Sequence, residues 1–154
     1  NYNSDMQTVI SGEKKSIESA IVKFKDISKR IRCIELNVSG AFHSPLMSFA
    51  REALSDEINS LYFSDAKVPI YHNYDAKPTT ISSEIKRNLI LQLESPVRWQ
   101  ETLQNIMTDT KNKDFIECGP GNVLAGINRR ISRSIQTLRT DNMECINSII
   151  CQKN

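Results

Sequence analysis

Phe115-Ile116-Glu117-Cys118-Gly119-Pro120-Gly121-Asn122-Val123-Leu124 holds the change of periodicity on which the fold turns. Phe115 to Cys118 reads as a short buried strand, halted at once by Gly-Pro-Gly, residues that break regular backbone and permit a tight turn. Beyond the turn, Val123, Leu124, Ile127 and Ile131 recur at helical spacing. A strand that turns sharply into an amphipathic helix is a building step of α/β architecture. A glycine turn at a helix start can also cradle phosphate on backbone N–H groups. This one matches neither the Walker pattern nor Gly-x-Gly-x-x-Gly, so a turn that needs glycine's backbone angles is the simpler reading.

The same alternation extends toward the N-terminus. Met6 to Ile10 reads as a strand closed by Ser11-Gly12, a turn and helix cap. Ile17, Ala20, Ile21, Phe24 and Ile27 then give a helix one apolar face. Ile34, Leu36 and Val38 alternate with Glu35 and Asn37 as a second strand, completing a β-α-β segment. Ser44 and Pro45 suit the cap and first position of a helix carrying Leu46, Ala50, Ala53, Leu54, Ile58 and Leu61 on its core side. Val68 to His72 reads as a strand, and Ser83 to Leu93 as a helix that must stop before Ser95-Pro96. Trp99, Leu103, Ile106 and Met107 mark another helix, and Met143, Ile146 and Ile150 a last one. Arg133 to Asp141 is the least patterned stretch and reads as a connection. The expected class is α/β with a largely parallel sheet.

The bulk composition narrows the function classes. A net charge of +2, with Lys and Arg scattered, gives no basic face for nucleic acid. Cys33, Cys118, Cys145 and Cys151 have no Cys-x-x-Cys spacing and no nearby histidine, so a metal site has no support. Cys33 and Cys118 read as small buried hydrophobes in a reducing compartment. No stretch nears the roughly 18 apolar residues of a membrane span, and no signal-peptide pattern opens the chain. A cytoplasmic location is expected, with an organelle left open. The chain opens on Asn1 and almost directly on a strand, which reads as an interior cut.

Two histidines bound the search for acid–base chemistry. His43 lies at a strand-to-helix junction, where α/β folds gather catalytic groups. A general base must present a neutral ring nitrogen within hydrogen-bond reach of the group it deprotonates. By spacing alone, a partly buried histidine that only caps its loop is the more ordinary reading. His72 ends a strand with no helix behind it and reads as structural. No Gly-x-Ser-x-Gly elbow occurs in the chain, and Cys118 has no base beside it in sequence. The residues thus offer a base without a nucleophile.

Four blocks in order carry a resemblance. They are Asn1-Tyr2-Asn3-Ser4 with Gln7-Thr8-Val9-Ile10-Ser11-Gly12; Val38 through Met47; Gln92-Leu93 with Ser95 through Trp99; and Phe115 through Leu124. Together they resemble the C-terminal portion of malonyl-CoA:acyl-carrier-protein transacylases. The resemblance implies transfer of a malonyl group from coenzyme A to the phosphopantetheine thiol of acyl carrier protein through a serine ester, in fatty acid biosynthesis. It implies no tightly bound cofactor and no metal, with malonyl-CoA and the carrier's phosphopantetheine as substrates. His43 becomes the catalytic base and the backbone of Gln92 the group that orients it. Phe42 falls where malonyl-selective members carry phenylalanine, and Asn3 on a segment near the substrate channel.

The resemblance also implies the architecture. Residues 1–37 match the second half of an inserted ferredoxin-like subdomain, and 38–154 the C-terminal part of an α/β-hydrolase-like core. The family's serine elbow, its malonyl-binding arginine and its oxyanion-hole glutamine fall on stretches that precede Asn1, so the chain alone is expected to be inactive. A part-core of this kind is expected to expose apolar surface and to need the missing N-terminal half, to self-associate, or to be poorly soluble. No membrane or nucleic-acid partner is implied. Other readings are an acyltransferase domain of a polyketide synthase and a non-catalytic split fragment acting by protein contact. A hydrolase lending His43 to another nucleophile is disfavoured by the missing aspartate.

Overall fold

The computed structural model describes residues 1–151, which divide into two units: Asn1 with Val9–Arg98, and Tyr2–Thr8 with Trp99 onward. In the first unit, α1 (Lys14–Ile27) shows the expected face, with Ile17, Ala20, Ile21 and Phe24 half-buried and Ile27 left exposed. Its cap position is Glu13 rather than Ser11-Gly12, and no side chain closes it. The strand expected at Ile34–Val38 is absent. Those residues run as irregular, exposed chain, with Ile34, Leu36 and Val38 exposed by 64%, 52% and 65%. Alternation supplies a face, but a strand also needs a neighbour for its N–H and C=O groups, and none is present here.

A 3-10 turn at Pro45–Met47 leads into α2 (Ser48–Ser60). Met47 and Ile58 are buried, whereas Leu46 and Leu61, expected in the core, stand nearly half exposed. The short strands β3 (Ile70–Tyr71) and β4 (Pro78–Thr79) pair antiparallel, a shorter ladder than Val68–His72 implied. The α3 helix (Ser82–Leu91) follows and packs on α2. Its first turn is held from outside: the Ser82 N–H donates to Asp65 Oδ1 at 2.8 Å. That bond holds the Asp65 carboxyl below its usual range.

In the second unit, Met6 to Ile10 is not one strand. β1 (Tyr2–Ser4) and β2 (Gln7–Thr8) form a tight antiparallel hairpin, and β1 packs against α4 (Trp99–Thr110) and α5 (Val123–Ile131). Leu103 of α4, only 1% exposed, is the most deeply buried apolar side chain of this core.

The expected β-α-β unit does occur, but later in the chain. β5 (Asp114–Glu117) and β6 (Gln136–Arg139) pair in parallel across α5, in register from Asp114↔Gln136 to Glu117↔Arg139. The stretch read as an unpatterned connection therefore holds a strand. This is the parallel pair of the structure; the other two ladders are antiparallel, so the largely parallel sheet is not observed among the described residues. With one partner strand, β5 is not deeply buried: Ile116 is 45% exposed, and Cys118 is exposed too. Gly119 and Gly121 take φ of 135° and 91°, which a side chain would oppose. No described helix is long and apolar enough to cross a membrane. The last helix, α6 (Met143–Cys151), falls where expected.

Candidate active site

His43 is fixed by the end of α3. A helix leaves its last carbonyls without intrahelical partners. Here Leu91 O is taken by the N–H groups of Glu94 and Ser95, as the chain turns ahead of Pro96. The next two carbonyls go to His43. Gln92 O lies 2.9 Å from His43 Nδ1, and Leu93 O accepts the His43 backbone N–H at 3.0 Å. A carbonyl oxygen can only accept, so Nδ1 carries the proton and donates. In the neutral ring Nε2 is then the bare acceptor. No described residue donates to it.

The loop is built to hold that pose. His43 has φ of 62°, in the left-handed region, where histidine is found more often than most residues. Such a conformation costs about 1–2 kcal/mol, and the paired bonds to α3 offset it. On the C-terminal side, Ser44 is buried and donates to Ala41 O at 2.6 Å, and Leu46 N–H donates back to Ser44 Oγ at 3.4 Å. The Phe42 ring lies against Gly40: a β-carbon at Gly40 would meet it at 3.4 Å and the Met47 sulfur at 3.8 Å. An Arg51–Glu94 ion pair of 2.6 Å ties α2 to the turn after α3. Partly exposed, it orients the turn more than it stabilises it.

Of the residues singled out from sequence, His43, Phe42 and Gln92 come together here. Asn3 lies on β1 in the second unit, half-buried. The Leu93 carbonyl, second member of the clamp, escaped sequence reading because its role is that of a backbone atom set by the helix end. His72 is 5% exposed. Burial pushes its ring below the ordinary histidine value, against an opposing pull from Asp75.

The glycine turn is not free to hold phosphate. Glu117 reaches past it, and its two oxygens accept the Leu124 and Ala125 N–H groups at 2.9 Å each. The anion position at the start of α5 is filled by the chain's own carboxylate. Sequence gave no sign of this, because a cap donated from a preceding strand has no local pattern. Among the described residues no cluster could hold a metal ion.

The model of the acyl transferase domain matches residues 1–149, so the chain belongs to that family. It is 38% identical over 146 residues to the malonyl CoA-acyl carrier protein transacylase of Bacillus subtilis, covering 95% of this chain and 45% of that protein. MCAT from Streptococcus pneumoniae superposes with a TM-score of 0.90 at 29% identity, over 99% of this chain and 49% of that one. A malonyl-transacylase solved in complex with its type II PKS acyl-carrier protein superposes with a TM-score of 0.84 at 29% identity, over 93% of this chain and 45% of that one. The chain thus spans about half the length of the relatives it matches, in their C-terminal portion. The α/β class is shared with these structures.

Proposed function

We propose that this chain is the histidine-bearing part of an enzyme that moves a malonyl group from malonyl-CoA to the phosphopantetheine thiol of acyl carrier protein, in fatty acid biosynthesis. One observation carries the reading: His43 Nδ1 is committed to the Gln92 carbonyl at 2.9 Å, which leaves Nε2 as the basic nitrogen. The relatives' names supply the substrates. Nε2 takes the proton of a serine hydroxyl, contributed by the rest of the protein, as that oxygen attacks the thioester carbonyl. The carbon–sulfur bond breaks, and the imidazolium returns the proton to the departing coenzyme A sulfur. In the second half-reaction Nε2 takes the proton of the carrier thiol, the thiolate attacks the serine ester, and the serine oxygen leaves with the proton from the ring. The Gln92 carbonyl replaces the aspartate of a triad, holding the tautomer and facing the ring while it is charged.

Phe42 is assigned to crowding out branched acyl groups, and Asn3 to the malonyl-CoA channel; Asn3→Ala should raise the KM for malonyl-CoA, and an unchanged KM removes it from the channel. The same reading makes 1–37 half of a ferredoxin-like insert and 38–154 part of an α/β-hydrolase-like core. The exposed alternation Ile34-Leu36-Val38 supports it. A structure of the full-length protein should show those residues paired as a strand, and would count against the assignment if they stay unpaired. The activity itself is tested by incubating full-length protein with labelled malonyl-CoA and carrier protein. Label should reach the phosphopantetheine form and not the apo form; no transfer to either would remove the reading.

A further inference from the structure

Arg51 and Glu94 close a circuit around His43. Two successive carbonyls beyond α3, those of Gln92 and Leu93, take the His43 ring and its backbone N–H. The Leu93 carbonyl and the Glu94 N–H belong to one planar peptide unit, so whatever fixes Glu94 aims that carbonyl. The backbone holds this unit weakly: the Glu94 N–H reaches Leu91 O at 3.4 Å, beyond the usual hydrogen-bond range. The Glu94 side chain supplies a firmer hold, with Oε2 2.6 Å from Arg51 Nε. Arg51 lies on the first turn of α2, the helix into which the His43 loop leads. Between them the chain is kept short and ordered by the 3-10 turn that Ser44 caps.

An open surface ion pair is worth little, but water is excluded at the point of contact here. The two side chains are 34% and 25% exposed, whereas Arg51 Nε itself is buried. Its N–H has no hydrogen bond in line, so the contact with Glu94 is one of charge. A buried N–H left unmatched is costly, and the carboxylate beside it is what answers its charge. His43 needs such support, because a residue in the left-handed region persists only where its surroundings over-determine it. A catalytic group misplaced by about 1 Å loses on the order of 10²-fold in rate. We propose that Arg51 and Glu94 are positioning residues for the base. Their contact holds the peptide between Leu93 and Glu94, and through it the His43 ring, in the pose from which Nε2 reaches the serine. The inference rests on the malonyl-transfer reading, and both residues act through His43.

The test uses the full-length protein with Arg51→Ala, Glu94→Ala, both together, and Arg51→Lys, and reads the rate of serine labelling by malonyl-CoA. Each alanine variant should slow labelling by about tenfold or more with an unchanged KM for malonyl-CoA. The double variant should be no slower than either single one, because the pair acts as a unit. Arg51→Lys keeps a cation within reach of Glu94 and should recover most of the rate. In a His43→Asn background, where no base is left to position, the alanine changes should leave the residual rate as it is. Labelling at the parent's rate in both alanine variants overturns the inference, since the pair is then an ordinary surface contact. So does slowing that persists undiminished in the His43→Asn background, or that comes with a raised KM, because the pair then acts on the fold or the substrate instead of the base. Should Arg51→Ala fail to fold, Glu94→Gln keeps the shape of the side chain, loses only its charge, and carries the same comparison. Failure of the parent protein to be labelled at all is a different result, and sinks the malonyl-transfer reading itself.

Discussion

Replacing Glu117 by alanine should loosen the second unit and convert its glycine turn into an anion site. The side chain accepts two backbone N–H groups at 2.9 Å, from Leu124 and Ala125, at the start of α5. A neutral cap lost to alanine costs about 1 kcal/mol, and a bond to a charged group contributes about 1.5–3 kcal/mol. Glu117 is only half-buried, so water recovers part of each bond. The expected loss is about 2 kcal/mol, and about 1 kcal/mol for Glu117→Gln, which keeps one acceptor. Trp99 is the single tryptophan, and its indole N–H donates to Asn128 Oδ1 on α5 at 2.9 Å, so its fluorescence reports the right unit. Urea titration should show a lower midpoint with an unchanged slope. Added phosphate or sulfate should stabilise Glu117→Ala more than the parent, since the vacated N–H groups then bind the anion. A loss under about 0.5 kcal/mol, with no difference in the response to phosphate, would refute the cap.

His72 should make the first unit acid-sensitive. Its folded-state value lies below the ordinary 6.5, so the unfolded chain binds the proton more readily, and stability is complete above about 6.5 and lost as pH falls from there toward the folded value. Unfolding at a series of pH values should show that slope, and His72→Leu should flatten it; an identical slope in the variant would rule His72 out. Phe42→Ser should admit methylmalonyl. Discrimination against one extra methyl is worth about 10–200-fold, so the preference for malonyl should shrink by a factor in that range, and a preference left intact would clear Phe42 of selecting the acyl group.

Helices were legible where apolar spacing and stop signals agreed. Ser95-Pro96 ended α3 where expected, and that stop is what leaves the Gln92 and Leu93 carbonyls open to His43. Strands were less legible because their existence depends on a neighbour. Ile34-Leu36-Val38 alternates well yet stays unpaired, while Gln136-Thr137-Leu138-Arg139, with no strong pattern, becomes a strand by lying beside Asp114–Glu117. Cys118 was misread as buried for the same reason: an apolar run sinks only if both its faces are covered. Local spacing marked His43 as a candidate and went no further. Its partner carbonyl lies 49 residues away, and only the ordered resemblance of separate blocks pointed to Gln92. The cap from Glu117 had no signal at all, since its partners are backbone N–H groups beyond a glycine turn.

The central claim is that His43 Nε2 is the base, and His43→Asn in the full-length protein tests it with the least disturbance. Asparagine tolerates the left-handed backbone that His43 adopts at φ 62°, and its amide N–H can still reach the Gln92 carbonyl. Only the basic nitrogen is lost. The rate of serine labelling by malonyl-CoA should fall by about 10²–10⁴-fold, with the unfolding midpoint within error of the parent. A labelling rate within a few-fold of the parent, in a protein equally stable, would contradict the account.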